Sequence, residues 1–255
     1  MKRSLAANEQ PPERAYLDAN VLRGQLTTNV LLTLAERRVF DPHWSQEVLD
    51  EVRRNRPEGV SEQKIDRRIA AMTRAFPKAL TLGYEDLTPE MRADEKDRHV
   101  LAAAVHSRCA VVVTENDSDF SPAASGPHAM QIERLSDFLN RKLDEQPRAV
   151  VSAMQEMARR HMYGPKTMPE LLDRMADQTE LRRFAQKLNG SVPADQRGSD
   201  ARLQSSARDA PESAARTAQD GIAPPEAGSA AEEASQQPAT GTPSRGRDHG
   251  RGPHR

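Results

Sequence analysis

Aspartates follow two short apolar runs that have the composition of β-strands. Asp18 comes directly after residues 15–17, and Asp117 and Asp119 follow the run 110–114. If both runs are strands of one open parallel sheet, their carboxyl ends meet at the same edge, where such sheets bind ligands. Taken alone, each aspartate is more typical of a helix cap or a turn, so a ligand site requires further acids nearby.

Two acids on predicted helices meet that requirement. Glu51 flanks the apolar side of a helix predicted over residues 45–54, although by itself it has the pattern of an ordinary exposed glutamate. Asp97 shares the apolar face of a helix predicted over 95–107 and lies near its positive N-terminus. Asp94, one turn earlier, is the weaker candidate. A carboxylate on a core-facing side either caps the helix or binds a cation.

Four carboxylates from four elements would repel one another at a single sheet edge unless a cation lay between them. Donor sets made of oxygen alone favour Mg²⁺ or Mn²⁺ over Zn²⁺. The residues that other kinds of active site require are missing from the sequence. The chain has one cysteine and scattered histidines, and it contains neither a Gly-rich phosphate loop nor a GxSxG nucleophile motif. The sequence therefore predicts a magnesium or manganese site.

The elements that would position these acids alternate between strands and helices, which is typical of an α/β domain with a parallel sheet. The run 110–114 is continuously apolar, as expected for a central strand buried on both faces. Pro42 is expected to break the chain after the first helix. The predicted strands are 15–17, 79–82, 110–114 and 130–132, and the predicted helices are 20–38, 45–54, 61–76, 95–107 and 136–143.

The 255 residues carry 37 Lys and Arg against 38 Asp and Glu, so the net charge of −1 demands no nucleic-acid partner. We expect a flexible N-terminus over 1–13, an α/β domain over 14–145, a helical extension over 146–188 and a disordered tail over 189–255. The tail has too few apolar side chains to offset its ordering entropy. The sequence contains no run of 18 apolar residues and no apolar signal core, so we expect a cytoplasmic protein without a membrane partner.

Four segments, in this order, resemble the motifs of PIN-domain ribonucleases, and in particular the VapC-type toxins of bacterial toxin–antitoxin pairs. The segments are YLDANVL at 16–22, WSQEVLDE at 44–51, DRHVLAAA at 97–104 and VTENDSDF at 113–120. The resemblance spans residues 14 to 143, and the helical extension looks like that of one VapC-like branch. It implies a PIN-like (Rossmann-like) three-layer α/β/α sandwich and a metal-dependent endoribonuclease.

The resemblance assigns the family's acidic positions to four residues, Asp18, Glu51, Asp97 and Asp119. Of these, Asp18, Asp97 and Asp119 would hold one or two Mg²⁺ (or Mn²⁺) ions. Glu51 would ligate through water or help to position the nucleophile. Asp117 is an extra acid that could replace Asp119 as a ligand. Neutral polar residues of the motifs would orient the acids or the water, namely Asn20, Thr114 and Asn116.

The resemblance also implies partners. The substrate would be RNA, a toxin requires a cognate antitoxin protein, and homodimers are common in the family. RNA binding would need cations despite the neutral charge balance. The cluster nearest to Glu51 consists of Arg53, Arg54 and Arg56, whose alternative role is a solvated helix face.

Two other functions are compatible with parts of this pattern. A catalytically inert PIN-like module would serve assembly or regulation, although a scaffold has no reason to gather acids. A phosphatase or phosphotransferase of the haloacid-dehalogenase type would use Asp18 as its nucleophile. Such phosphatases usually carry a second aspartate two residues later, where this chain has Asn20.

Overall fold

The centre of the protein is a sheet of five short strands. The structure is a computed structural model, and it describes residues 11–124, 128–160 and 165–203. The strands are β1 (Arg14–Leu17), β2 (Asp41–Ser45), β3 (Leu80–Thr81), β4 (Val111–Thr114) and β5 (Gln131–Arg134). They run across the sheet in the order β3, β2, β1, β4, β5, and each of these neighbouring pairs is parallel.

β1 and β4 lie side by side, in a register that places Leu17 opposite Val113. Residues 15–17 of β1 and 111–113 of β4 are completely buried, so the sheet is covered on both of its faces. This confirms the predicted three-layer α/β sandwich. Because the next strand along the chain, β2, lies on the other side of β1, the crevice beyond β1 and β4 is the switch point where open sheets bind ligands.

Nine α-helices accompany the sheet in the described ranges. They are α1 (Ala19–Leu22), α2 (Gln25–Glu36), α3 (Gln46–Arg54), α4 (Glu62–Ala75), α5 (Arg98–His106), α6 (Leu135–Glu145), α7 (Pro147–Arg160), α8 (Met168–Ala176) and α9 (Thr179–Ser191). The predicted cap of α3 is confirmed, since Ser45 Oγ accepts a hydrogen bond from the Val48 N–H at 3.3 Å. Within those ranges no helix has the length and apolar character that a membrane span needs.

The helix predicted over 20–38 is in fact two helices, because the chain breaks at Gly24. Gly24 is extended and is the N-cap of α2. The Thr28 hydroxyl donates to the carbonyls of Leu22 and Gly24 at 2.9 and 2.7 Å, and the Arg68 guanidinium donates to the Leu22 carbonyl at 2.9 Å. These donors satisfy carbonyls that a helix end leaves without partners. As a result α1 is a single turn placed directly after β1.

The expected break at Pro42 is wrong, because Pro42 lies inside β2 and pairs with Ala15. Successive N–H groups of a strand point to opposite sides. The Asp41 N–H donates toward β1, whereas the Trp44 N–H donates to the Ala79 carbonyl beside β3. The backbone nitrogen of Pro42 points to the same side as that of Trp44, toward β3. Because β3 begins only beside Trp44, no strand lies opposite Pro42 on that side, and its lack of an N–H costs no hydrogen bond of the sheet.

The helical extension packs on the α/β domain. α7 contacts α2, and α9 contacts α6. Arg160 of α7 pairs with Glu36 of α2 at 3.0 Å.

The predicted boundary of the tail at residue 189 is too early. Val192 and Leu203 are buried, and Asn189 Oδ1 accepts a hydrogen bond from the Gly198 N–H at 2.9 Å. A Cβ at Gly198 would overlap the side chains of Leu203 and Asp173, so this segment packs closely on α8. The rest of the predicted tail, 204–255, lies outside the described residues, as does 1–10 of the predicted N-terminus.

A buried ion network joins the start of β1 to α6. Lys142 is only 2% exposed, and its Nζ lies 2.6 Å from Glu13 Oε2 and 2.8 Å from Glu145 Oε2. Arg141 contacts Glu13 at 3.1 Å and Glu133 at 2.9 Å. Residue 13, which the sequence placed in the flexible N-terminus, is therefore anchored.

Candidate active site

Asp18 lies at the carboxyl end of β1, where its N–H donates to the Val113 carbonyl of β4 at 3.1 Å. Its side chain caps α1, and Oδ1 accepts from the Ala19 N–H at 2.6 Å. Oδ2 accepts from the Thr114 hydroxyl at 2.8 Å and from Asn20 Nδ2 at 2.7 Å. Asp18 is thus a helix cap and also a buried acid, 6% exposed, at the switch point of the sheet.

Thr114 and Asn20 form a neutral brace around Asp18. Thr114 Oγ gives its hydrogen to Asp18 and accepts hydrogen bonds from Asn20 Nδ2 at 2.9 Å and from the Asn116 N–H at 3.1 Å. Asn20 Oδ1 accepts from the Glu115 N–H at 3.0 Å. The structure therefore places two of the three predicted supporting side chains on Asp18. Asn116 takes part through its backbone, and its side chain is exposed.

A second group of acids lies where α5 begins. Carboxylate oxygens of Asp94, Asp97 and Asp119 lie within 4.8 Å of one another, which brings together two of the predicted ligands and adds Asp94. Asp97 Oδ2 is buried and has no hydrogen-bond partner among the described residues. The ammonium of Lys96 lies 3.6 Å from that oxygen and 3.1 Å from Asp119 Oδ2. Burial raises the pKa of Asp97, the charge of Lys96 lowers it, and the charge of Asp119 raises it further.

The two groups of acids influence each other electrostatically. The pKa of Asp18 is raised from 3.8 to about 6, and burial is the largest cause. The hydrogen bonds from Thr114 and Ala19 lower this pKa, whereas the negative charges of Glu51 on α3 and Asp97 before α5 contribute to raising it. Glu51 and Asp97 are therefore close enough to Asp18 to act on its ionisation. We call this set of acids, Asp18, Glu51, Asp97 and Asp119, the acidic cup.

Asp117 lies outside the acidic cup. Its Oδ1 is 3.4 Å from Arg134 Nε on β5, and its side chain is 52% exposed. Between the two alternatives left by the sequence, the geometry therefore favours Asp119 over Asp117 as the fourth acid.

His99 of α5 lies between two glutamates of α3, an arrangement that sequence reasoning missed. His99 Nε2 lies 3.0 Å from Glu51 Oε1, and Nδ1 lies 3.0 Å from Glu47 Oε2. Burial lowers the pKa of His99, but the contact with Glu51 and the charges of Glu51, Glu47 and Asp18 raise it above its ordinary value. The available signal was the spacing of four between Glu47 and Glu51, which places both on one face of a helix.

The donor set of the acidic cup fits a divalent cation. Asp97 Oδ2 is buried and accepts no hydrogen bond among the described residues, so the exposed ammonium of Lys96, 3.6 Å away, compensates its burial only in part. The cluster of Asp94, Asp97 and Asp119 offers only oxygen donors, which Mg²⁺ and Mn²⁺ prefer. The cup could therefore hold such a cation and orient a phosphate beside it.

The predicted arginine cluster is only partly available for ligands. Arg53 Nε donates to Asp66 at 2.8 Å, and its guanidinium also pairs with Asp50. Arg54 and Arg56 are exposed near the end of α3. The charge of Arg53 is thus used to join α3 and α4.

Comparisons with known proteins identify the family of the chain. The family model "PIN domain" matches residues 14–118, and the model "VapC50 C-terminal domain" matches residues 136–190. The chain is 35% identical over 116 residues to a Mycobacterium tuberculosis protein described as "Putative ribonuclease VapC50", a match that covers 46% of this chain and 68% of the relative. No solved structure matches the chain significantly. These matches, together with the order of the strands in the sheet, show that the chain belongs to the PIN-domain family, in its VapC-type branch.

Proposed function

We propose that the chain is a metal-dependent endoribonuclease that hydrolyses RNA phosphodiester bonds, and that it is the toxin of a toxin–antitoxin pair. The acidic cup is the observation that carries the proposal. Asp18 lies at the switch point of a PIN-family sheet, and Asp94, Asp97 and Asp119 cluster where α5 begins. The buried Asp97 Oδ2 has no hydrogen-bond partner among the described residues, and the Lys96 ammonium lies 3.6 Å from it. The VapC50 relative is described as a ribonuclease, which supports the same activity here.

Asp18, Asp97 and Asp119 are the residues that would hold Mg²⁺ or Mn²⁺, with Asp94 beside them. A bound divalent cation would neutralise the crowded acids and stabilise negative charge on the scissile phosphate. The chain itself supplies orientation. The neutral brace holds Asp18 in one position, and Glu51 would orient the water that attacks the phosphate.

The phosphatase alternative has less support. Phosphatases of that type usually carry a second aspartate two residues after the nucleophilic one, which would be Asp18 here. Asn20 occupies that position and is part of the neutral brace. We therefore retain hydrolysis by an oriented water as the mechanism.

Cleavage of a mixed RNA substrate by the purified chain tests the proposal. We expect cleavage with Mn²⁺ or Mg²⁺ and none with EDTA. Asp18→Asn and Asp97→Asn should fold and lose cleavage by at least about 100-fold, because removing one group that stabilises the transition state typically has that effect. Asp117→Asn is the matched control, since Asp117 is an aspartate of the same region outside the cup, and it should cleave normally. Metal-dependent cleavage by the double variant of Asp18 and Asp97 would contradict the assignment.

The RNA surface and the partners are further parts of the proposal. Arg54 and Arg56 are the exposed cations we expect to contact the RNA backbone. Expression of the chain in the cytoplasm, followed by sequencing of the ends of the RNAs that are cut, would identify the substrate.

An antitoxin should be encoded beside this chain, and its co-expression should abolish the growth arrest that we expect expression of the chain to cause. Size-exclusion chromatography of the purified chain tests the expected homodimer.

A further inference from the structure

The contact between His99 and α3 is not explained by the neutral brace or by the acids that would hold a cation. His99 is the second residue of α5, and its side chain is only 14% exposed. One ring nitrogen lies 3.0 Å from Glu51 and the other lies 3.0 Å from Glu47. The partners differ in exposure, because the Glu51 side chain is 26% exposed whereas that of Glu47 is 54% exposed.

The position of His99 links two elements that must stay in register. Asp97 precedes His99 by two residues, and Glu51 lies on α3. A side chain that bridges α5 and α3 therefore fixes the position of Glu51 relative to Asp97 across the cup. Without such a contact, a glutamate on a helix surface would sample several rotamers.

Glu47 lies near the other ring nitrogen but does not hold it. Nδ1 is buried and makes no hydrogen bond among the described residues, although Glu47 Oε2 lies 3.0 Å away. Glu47 and Glu51 are four residues apart on α3, so both carboxylates reach the same side of the helix. The contact through Nε2 is therefore the one that relates the ring to Glu51.

We propose that His99 is a positioning residue that fixes the Glu51 carboxylate in the acidic cup. The catalytic part of this inference rests on the proposed nuclease function. The contact itself does not, so the two can be tested separately.

Histidine side-chain nitrogen NMR of the full metal-free chain tests the contact. Glu51→Gln should shift the Nε2 resonance of His99 more than Glu47→Gln does. His106, an exposed histidine at the other end of α5, is the internal control and should not change. If Glu51→Gln does not move the Nε2 resonance, the positioning proposal is wrong, whether or not the chain cleaves RNA.

A double-mutant cycle on RNA cleavage tests the catalytic consequence. His99→Leu should lower kcat about 10- to 100-fold, the usual effect of removing a residue that orients a metal-site ligand, with little change in KM. In the Glu51→Gln background the same substitution should change kcat less than about two-fold, because the group it positions is already gone. A His99 that only supports the fold would instead lower kcat by the same factor in both backgrounds, and that result would overturn the proposal.

Two further variants keep the cycle interpretable. His99→Gln retains an N–H donor and should recover part of the kcat lost in His99→Leu, whereas His106→Leu should match the wild type. If His99→Leu does not fold, the Gln variant replaces it in the cycle, with the same prediction of non-additivity. If the wild type itself cleaves no RNA, the proposed function fails, and the positioning of Glu51 is then decided by the NMR shifts.

Discussion

The ionisation of Asp18 should make the metal-free protein less stable as the pH rises. The pKa of this carboxyl rises from 3.8 to about 6 on folding. Because the folded pKa is the higher one, the folded state binds the proton more tightly than the unfolded state. The stability due to this proton is fully present below pH 3.8 and is lost as the pH rises through about 6. At about 1.4 kcal/mol for each pH unit, the full loss is about 3 kcal/mol, and about half of it falls between pH 5 and pH 7.5.

Asp18→Asn isolates this effect. The variant has a neutral group in the same position, so it lacks the loss of stability that ionisation causes in the wild type. Its mismatched hydrogen bonds with the brace reduce its stability by an amount that does not depend on pH. The difference in unfolding free energy, variant minus wild type, should therefore increase by about 1.5 kcal/mol between pH 5 and pH 7.5.

Urea unfolding in EDTA, at several pH values, measures that difference. Ser118→Ala is the control, because Ser118 is exposed, lies on the loop between Asp117 and Asp119, and does not titrate. Its difference from the wild type should be the same at every pH. Saturating Mn²⁺ should reverse the trend for the wild type alone, since the cation stabilises the ionised acids. A flat difference for Asp18→Asn would refute the reasoning that burial and neighbouring acids hold the proton on Asp18.

Three other perturbations test particular contacts. Mn²⁺ should raise the unfolding temperature of Asp117→Asn but not that of Asp119→Asn, as measured by thermal melts with and without the ion. Gly198→Ala should lower the unfolding free energy by about 1–3 kcal/mol, because its Cβ would overpack the segment against α8. Gly190 lies in a helix with open space around it, so Gly190→Ala should raise the unfolding free energy by about 0.5 kcal/mol. Urea unfolding of the two variants measures both effects. Lys142→Met should destabilise by about 2 kcal/mol in the same assay, because its two glutamate partners lose a buried cation.

The strand ends that carry the acids could be predicted because their signals are local. β4 is a continuous apolar run, and the apolar face of α5 identifies Asp97 as an acid directed toward the core. The sequence could not decide whether Asp117 or Asp119 is the fourth acid, because this depends on how the short segment that carries both is oriented relative to α5 and β5. That choice is decided by contacts between residues far apart in sequence, such as the pair formed by Asp117 and Arg134.

Other features escaped prediction because nonlocal packing determines them. β2 contains aspartate, proline and histidine, and only its pairing with β1 makes it a strand. Pro42 is tolerated there because of where β3 begins, which no local pattern shows. Likewise, Leu203 is a lone apolar residue in a polar stretch, yet it is buried because Gly198 allows the chain to approach α8 closely.

The distribution of countercharge in the acidic cup explains where a cation would stabilise the protein most. At one end, Lys96 contacts Asp97 and Asp119, and at the other end His99 contacts Glu51. The hydrogen bonds that Asp18 accepts in the described structure, by contrast, all come from neutral donors. Neutral donors offset burial only in part, which is why the pKa of this carboxyl reaches about 6. The charge left uncompensated is thus concentrated at the strand end in the switch point, the place where a divalent cation would have the largest effect on both stability and phosphate chemistry.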